Sequence, residues 1–151
     1  MENIVVLYFC RKVSNCERKG EMPVPKGGYL NMTIATLTDN PAIATQLNEW
    51  LKQYCSLYKI DPTVMEFLTT EELLETGKIH HLDVIFIYLR GPEGFLHARR
   101  IREELPASRA VFIGDTMEYA VRCVRLHFTD YMVLPLEFKN FVRTMKLAGV
   151  G

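Results

Sequence analysis

The sequence lacks the features that mark several common classes of protein. Its four cysteines form no CxxC pair and show no metal-site spacing, so we interpret them as reduced thiols. Basic and acidic residues balance at 18 each, and no net charge favours nucleic acid. No apolar run approaches the ~20 residues that a membrane-spanning helix needs, and residues 4–9 have no basic lead-in typical of a secretory signal. We therefore expect a cytoplasmic protein that contacts neither a membrane nor nucleic acid directly.

The first 31 residues differ from the rest of the chain. A short apolar run is followed by a polar stretch and by residues 23–28, whose prolines and glycines indicate a loop. Two explanations compete for this N-terminal extension. Either residues 1–31 form an additional edge strand and arm that is used in dimer contacts, or Met32 is the natural start and the codons of Lys26-Gly27-Gly28 are a ribosome-binding sequence. Residues 32–148 are predicted to form one domain with a sizeable core.

Strand and helix signals alternate from residue 33 onward, which is typical of an α/β protein with a parallel sheet. Strands are predicted at residues 33–37, 63–68, 84–89, 110–113 and 131–133. Asn40 followed by Pro41 predicts the start of the first helix, and Thr69 with Glu72 predicts a capping box for the second. This order of elements predicts one doubly wound domain.

The last three helices are less sharply defined by the sequence. Residues 91–94, Gly-Pro-Glu-Gly, are predicted to be a loop before the third helix, which ends at Pro106. The fourth helix is predicted over residues 117–127. The fifth follows residue 137, with Phe138, Phe141 and Met145 on its buried side.

The third strand is an unbroken apolar run, Val84-Ile85-Phe86-Ile87-Tyr88, which predicts burial on both faces of the sheet. Open α/β sheets place their functional sites at the carboxyl ends of such strands. Here that position holds Tyr88, a neutral phenol whose reference pKa is about 10. The residue at the expected functional position is therefore a neutral phenol and not a carboxylate.

Several short motifs lie beside the predicted strands and helices. They are Thr38-Asp39-Asn40-Pro41, Glu71-Glu72-Leu73-Leu74, Asp83-Val84-Ile85-Phe86, Glu118-Tyr119-Ala120-Val121 and Asp130-Tyr131 with Pro135. Through these motifs, the stretch from Ile34 to about Met145 resembles the receiver domain of two-component response regulators, in particular the subgroup with a LytTR DNA-binding output domain. The resemblance implies a flavodoxin-like (CheY-like) five-stranded parallel sheet of order 2-1-3-4-5 with helices on both faces.

The chemistry of the receiver family implies five groups at the carboxyl edge of the sheet. Two acids after strand one hold Mg²⁺, an aspartate ending strand three accepts the phosphoryl group, and a Thr or Ser and a Lys ending strands four and five bind its oxygens. This sequence keeps only one of the five, Asp39. The other positions hold Thr38, Tyr88, Gly114 and Leu134. A different placement of the gap after strand three puts Phe86 at the acceptor position, which is no more reactive.

These departures predict a degenerate receiver, or pseudo-receiver, that is not an enzyme and binds no cofactor. In the family an aromatic residue on strand five follows the inward movement of the Thr or Ser, and Tyr131 matches that position. The resemblance implies a phosphorylation-independent contact with a protein partner or a second copy, through helix four, strand five and helix five. Candidates for this interface are Arg122, Arg125, Tyr131, Glu137 and Arg143, although a solvent-facing role explains these polar residues equally well.

Two further alternatives concern bound ions and cofactors. Asp39 and Asp115 could hold a divalent ion weakly, or each could cap the helix that follows it. A flavodoxin-like domain could also bind FMN or a nucleotide. Such a ligand needs free backbone amides after strand one, but residues 36–41 contain no glycine and include Asp39 and Pro41. The receiver-like interpretation is therefore preferred. A DNA-binding output domain is expected only where the natural protein continues beyond Gly151.

Overall fold

The computed structural model describes residues 30–149. These residues form a five-stranded parallel sheet of order β2-β1-β3-β4-β5, which confirms the predicted fold class. The strands are β1 (Leu30–Thr38), β2 (Ile60–Phe67), β3 (Val84–Tyr88), β4 (Arg109–Gly114) and β5 (Asp130–Val133). β1 includes Leu30 and Asn31, which pair with Ile60 and Asp61. Residues 1–29 lie outside the described part, so the two explanations of the N-terminal extension stay predictions.

Helices cover both faces of this sheet. They are α1 (Pro41–Leu57), α2 (Thr70–Ile79), α3 (Gly91–Glu104), α4 (Ala120–Arg125) and α5 (Phe138–Leu147). One apolar cluster joins the sheet to α2, α3 and α4, and a second joins it to α1 and α5. All five residues of β3 are buried, as expected of a central strand that is packed on both faces. Within residues 30–149, no helix combines the length and the apolar character that crossing a membrane requires.

The start of α3 differs from the sequence prediction. Residues 91–94 were predicted to be a loop, but α3 begins at Gly91 and Pro92 lies in its first turn. The prediction was wrong because proline, which breaks a helix interior, suits the first turn, where its missing N–H has no helical partner. Gly94 lies inside this turn, and a Cβ atom there would overlap the backbone carbonyl oxygen of Leu89. Glycine is therefore needed for close packing between α3 and the end of the preceding segment.

The fourth helix is shorter than predicted, since α4 spans only Ala120–Arg125 instead of residues 117–127. The Thr116 carbonyl, which would accept from Ala120 in a longer helix, accepts the Tyr131 hydroxyl instead. The Ala120 N–H donates to Met117 at 3.1 Å. At the other end, His127 has a φ of 63°, in the left-handed region, which ends the helix. Bend and turn residues thus stand at positions 117–119, where the first helical turn was predicted.

We expect Gly94→Ala to lower the free energy of unfolding by at least about 1–3 kcal/mol, because the added Cβ meets backbone that cannot move cheaply. Gly77→Ala is the matched control, since its nearest neighbours would be side-chain atoms, of Leu105 at 2.5 Å and of Leu82 at 3.3 Å. Those side chains can shift, and alanine favours the helix by up to about 1 kcal/mol. Urea denaturation of both variants compares the two costs. Equal costs would contradict the assigned close packing at Gly94.

Candidate functional site

The carboxyl edge of the sheet brings together the residues that match the receiver phosphorylation site. Thr38 is the register partner of Tyr88 across β1 and β3. The Leu134 N–H donates to the Gly114 carbonyl at 3.0 Å, which joins the ends of β4 and β5. The edge therefore has the arrangement expected from the resemblance, but with side chains of different chemistry.

Tyr88 ends β3, where the resemblance implies a phosphoacceptor, and it is nearly closed to solvent, with 4% of its surface exposed. Its hydroxyl donates a hydrogen bond to Asp115 at 2.9 Å. Burial, followed by the bond to the Asp115 carboxylate, raises the pKa of Tyr88 above its ordinary value, although Arg90 acts in the opposite direction. The phenol therefore stays protonated at neutral pH and serves as a donor, not as a nucleophile.

The neighbouring positions are also occupied by uncharged groups with structural contacts. Leu134 packs against the apolar cluster that contains Tyr88 and Ile113. The Thr38 hydroxyl accepts the Asn40 N–H at 3.1 Å at the start of α1. Neither an ammonium group nor a second carboxylate stands in these places. These two positions thus hold neither the lysine nor the second acid that the resemblance implies for binding a phosphoryl group and its metal ion.

Neither of the two candidate ion ligands forms the side-chain cap of the helix that follows it. Asn40 caps α1, and its side-chain oxygen accepts from Ala42 at 2.9 Å and from Ile43 at 3.3 Å. Asp115 accepts from Tyr88, and α4 begins without a side-chain cap. The capping interpretation of Asp39 and Asp115 was therefore wrong. Among residues 30–149, no group of three or more His, Cys, Asp or Glu side chains is placed to hold a metal ion.

Asn40 also determines whether α1 could bind a phosphate. Pro41 has no N–H, and the Ala42 and Ile43 amides are bound by the Asn40 side chain. The Ala44 amide donates to the Asn40 carbonyl at 3.1 Å. Since the donors of the first turn are all engaged, the helix start offers no amide cradle of the kind that phosphate groups use. The FMN alternative is not favoured.

Tyr131 matches the aromatic position of β5, and Gly114 makes room for it. A Cβ on Gly114 would lie 2.5 Å from the Tyr131 hydroxyl oxygen. The ring stacks on Phe112, with centroids 5.5 Å apart, and the hydroxyl donates to the Thr116 carbonyl. The sequence did not reveal Thr116 or Phe112 as its partners. The sequence signal for this placement of Tyr131 was the small residue at position 114, where the resemblance implies Thr or Ser.

The residues predicted to form an interface are mostly exposed on α4 and α5, and several have partners within the domain. The Arg122 guanidinium lies 5.8 Å from the ring centroids of both Phe95 and Tyr119. Arg143 donates to Asp130 at 2.9 Å, and Glu137 lies 3.8 Å from the Lys139 ammonium. Arg125 is exposed. These contacts leave Arg122 and Arg125 as the clearest polar groups on the surface of α4.

Sequence reasoning missed an apolar stripe beside those arginines. Met117, Val121 and Val124 follow one another at helical spacing, and each exposes more than half of its surface. Their alternation with arginines suggested a solvated helix. The short length of α4 and its position at the edge of the domain are what leave these side chains without cover.

Known proteins share this architecture. A response regulator from Thermotoga maritima superposes with a TM-score of 0.65 and 18% identity, over 80% of this chain and 99% of that one. The response regulatory domain of MrkE from Klebsiella pneumoniae gives a TM-score of 0.64 and 19% identity, over 78% and 95%. The non-phosphorylated HemR receiver domain from Leptospira biflexa gives 0.62 and 18%, over 80% and 96%. The chain has the fold of a receiver domain.

Sequence similarity points in the same direction but covers only part of a relative. An uncharacterised response regulatory protein of Vibrio cholerae is 29% identical over 106 residues, which are 69% of this chain and 40% of that protein. No protein-family model matches the chain.

We expect Gly114→Ala to destabilise the domain by about 1–3 kcal/mol, because the new methyl group collides with the Tyr131 hydroxyl. In a Tyr131→Phe background that oxygen is absent, so the cost should fall by at least about 1 kcal/mol, a coupling of ordinary size for touching residues. Tyr119→Phe is the control background, since Tyr119 is not among the nearest neighbours of Gly114. Denaturation of the single and double variants gives the coupling directly. Equal costs in all three backgrounds would contradict the inward placement of Tyr131.

Proposed function

We propose that this domain is a receiver-like module of a two-component regulator that acts without aspartyl phosphorylation, through contacts with a second copy or with another protein. The observation that carries the proposal is the hydrogen bond between Tyr88 and Asp115, at the place where a receiver holds its phosphoacceptor. The apolar contacts of Leu134 on the same edge support it. Tyr88 has no carboxylate and cannot form an acyl phosphate. The apolar side chain of Leu134 cannot bind the phosphoryl oxygens.

The surroundings of Tyr131 support a domain held in one state. Moving a two-state element from 1:99 to 99:1 requires about 5.5 kcal/mol of differential interaction. In a receiver the phosphoryl group provides it through the Thr or Ser of strand four. Here that residue is Gly114, and Tyr131 is already placed inward and bound to Thr116. In the proposed function, Gly114 and Tyr131 therefore undergo no movement that depends on a phosphoryl group.

The stripe of Met117, Val121 and Val124, flanked by Arg122 and Arg125, is the surface that suits a protein contact. Val121 and Val124 lie on α4 and Met117 lies just before it, on the face that the resemblance assigns to dimer formation. The resemblance to regulators of the LytTR type further suggests that such a dimer positions DNA-binding domains in the whole regulator. We propose a second copy of this domain as the occupant of the α4 surface.

Treatment with acetyl phosphate and Mg²⁺ should leave the intact mass of this domain unchanged, because the edge lacks an acceptor carboxylate and a phosphoryl-binding lysine. Mass spectrometry measures this directly. A receiver that keeps all five groups, treated in the same reaction, is the positive control and should gain one phosphoryl group. One phosphoryl group on an acidic side chain of this domain would overturn the proposal.

Val124→Lys should weaken self-association at least about tenfold, since it replaces a buried apolar contact with a charge. Val124 is 73% exposed in the monomer, and Leu57→Lys is the matched control because Leu57 is 72% exposed on α1, across the sheet. Sedimentation equilibrium of both variants and the parent measures the dissociation constants. A monomeric parent at concentrations well above micromolar, or equal effects of both substitutions, would contradict dimer formation through α4.

A further inference from the structure

A cavity of about 270 Å³ lies between the first two turns of α1 and the ends of β1 and β2. It is on the β2 side of β1, whereas Tyr88 is on the β3 side, and of the positions that match the phosphorylation site it includes only Thr38 and Asp39. Its volume is close to the lower end of the range for small-molecule pockets. The cavity is therefore large enough for a molecule of a few heavy atoms.

The floor of this cavity contains a hydroxyl group without a partner. Thr36 lines the cavity with only 1% of its surface exposed, and its Oγ1 accepts and donates no hydrogen bond among the described residues. Nearly all buried polar side chains in folded proteins are hydrogen-bonded, so such a group indicates a partner outside the chain. Side chains alternate along β1, which places Thr36 on the face covered by α1. The Thr36 hydroxyl therefore lies on the face of the sheet where the cavity is, beneath α1.

The charge of the lining determines what that partner can be. Glu66, the register partner of Thr36, and Asp39 both line the cavity, and none of the described residues around it is basic. The Glu66 carboxylate also accepts from Asn48, which fixes its position against α1. Two carboxylates and several threonine hydroxyls form an acceptor-rich, negatively charged lining. An anion would be repelled, and a cation that donates hydrogen bonds would be attracted.

The remaining lining favours an organic cation over a metal ion. Pro41, Ala44 and Phe67 provide apolar walls that suit carbon atoms. As stated for residues 30–149, no cluster of three acidic, His or Cys side chains is placed to bind a metal. A primary ammonium group on a short carbon chain meets both requirements, since it has three N–H donors and an apolar stem.

We propose that this cavity binds a small primary amine, whose ammonium group donates to Thr36 Oγ1 and to the carboxylates of Glu66 and Asp39. The proposal is independent of how the Tyr88 edge works. A free amine and a lysine side chain share this chemistry, and the binding experiment distinguishes the two sources.

Butylamine is the first probe, and butan-1-ol is its neutral counterpart of similar shape. Butylamine should shift the backbone amide signals of Thr36, Ala44 and Glu66 in a ¹⁵N–¹H spectrum with a millimolar dissociation constant, and butan-1-ol should not. N-acetyl-lysine amide is the second probe. Tighter binding of this probe than of butylamine would identify a lysine side chain as the source, and weaker binding would identify a free amine; both outcomes support the ammonium site. Equal shifts with butan-1-ol, or no shifts with either amine, would overturn the proposal.

Two substitutions test the named acceptors in the whole chain. Thr36→Val and Glu66→Gln should each weaken butylamine binding at least about tenfold. Thr36→Val removes an acceptor for the ammonium group, and Glu66→Gln removes a negative charge that attracts it. Thr36→Val should also raise the melting temperature of the amine-free protein, since it removes an unpaired buried hydroxyl. Thr63→Val, on β2 and outside the cavity lining, should change neither property. Amine binding that survives both cavity substitutions would show that the amine binds elsewhere.

Discussion

The hydrogen bond from Tyr88 to Asp115 determines what the carboxyl edge of this sheet can do. β3 is buried on both faces, so the residue at its end is held rigidly where a receiver domain presents its reactive aspartate. A phenol in that position is uncharged, and its partnership with a carboxylate and its burial keep it protonated. Leu134 completes the change by extending the apolar core to the edge. In the proposed function, packing at this edge of the sheet replaces the electrostatics of a phosphorylation site.

A second consequence concerns motion. In the receiver family the residue that ends strand four and the aromatic on strand five form a two-state element. Here the Tyr131 ring occupies the space beside Gly114, and the Thr116 carbonyl accepts a hydrogen bond from its hydroxyl. α4 begins only at Ala120, and Val121 and Val124 on this helix are exposed. In the proposed function, the first arrangement accounts for the loss of switching, and the exposed side chains provide the contact surface.

The α1 side of the sheet illustrates a different way of using the fold. Asn40 engages the amides of the first helical turn, so this end of α1 is closed to phosphate. The space beneath it is lined by carboxylates and hydroxyls, with Thr36 unpaired at its floor. Flavodoxin-like proteins that bind cofactors use this edge of the sheet to bind phosphate groups. Here the edge presents carboxylates and hydroxyls, which accept hydrogen bonds. The two sides of β1 therefore differ in the chemistry of their side chains even though they share one strand.

The sequence by itself determined the alternation of strands and helices and the cap of α1, and the resemblance to receiver domains implied the sheet order and the importance of Tyr88, Gly114 and Leu134 at the strand ends. The strands and the cap depend on local periodicity and on residue types at the ends of elements, which can be recognised along the chain. Only the tertiary structure decided the start of α3, the length of α4, the partners of Tyr88 and Tyr131, and the unpaired hydroxyl of Thr36. Tyr88 and Asp115 are 27 residues apart, and Tyr131 and Thr116 are 15 apart. Such contacts depend on how strands and loops meet at one edge of the sheet. Local sequence patterns do not show which residues so far apart in the chain come into contact.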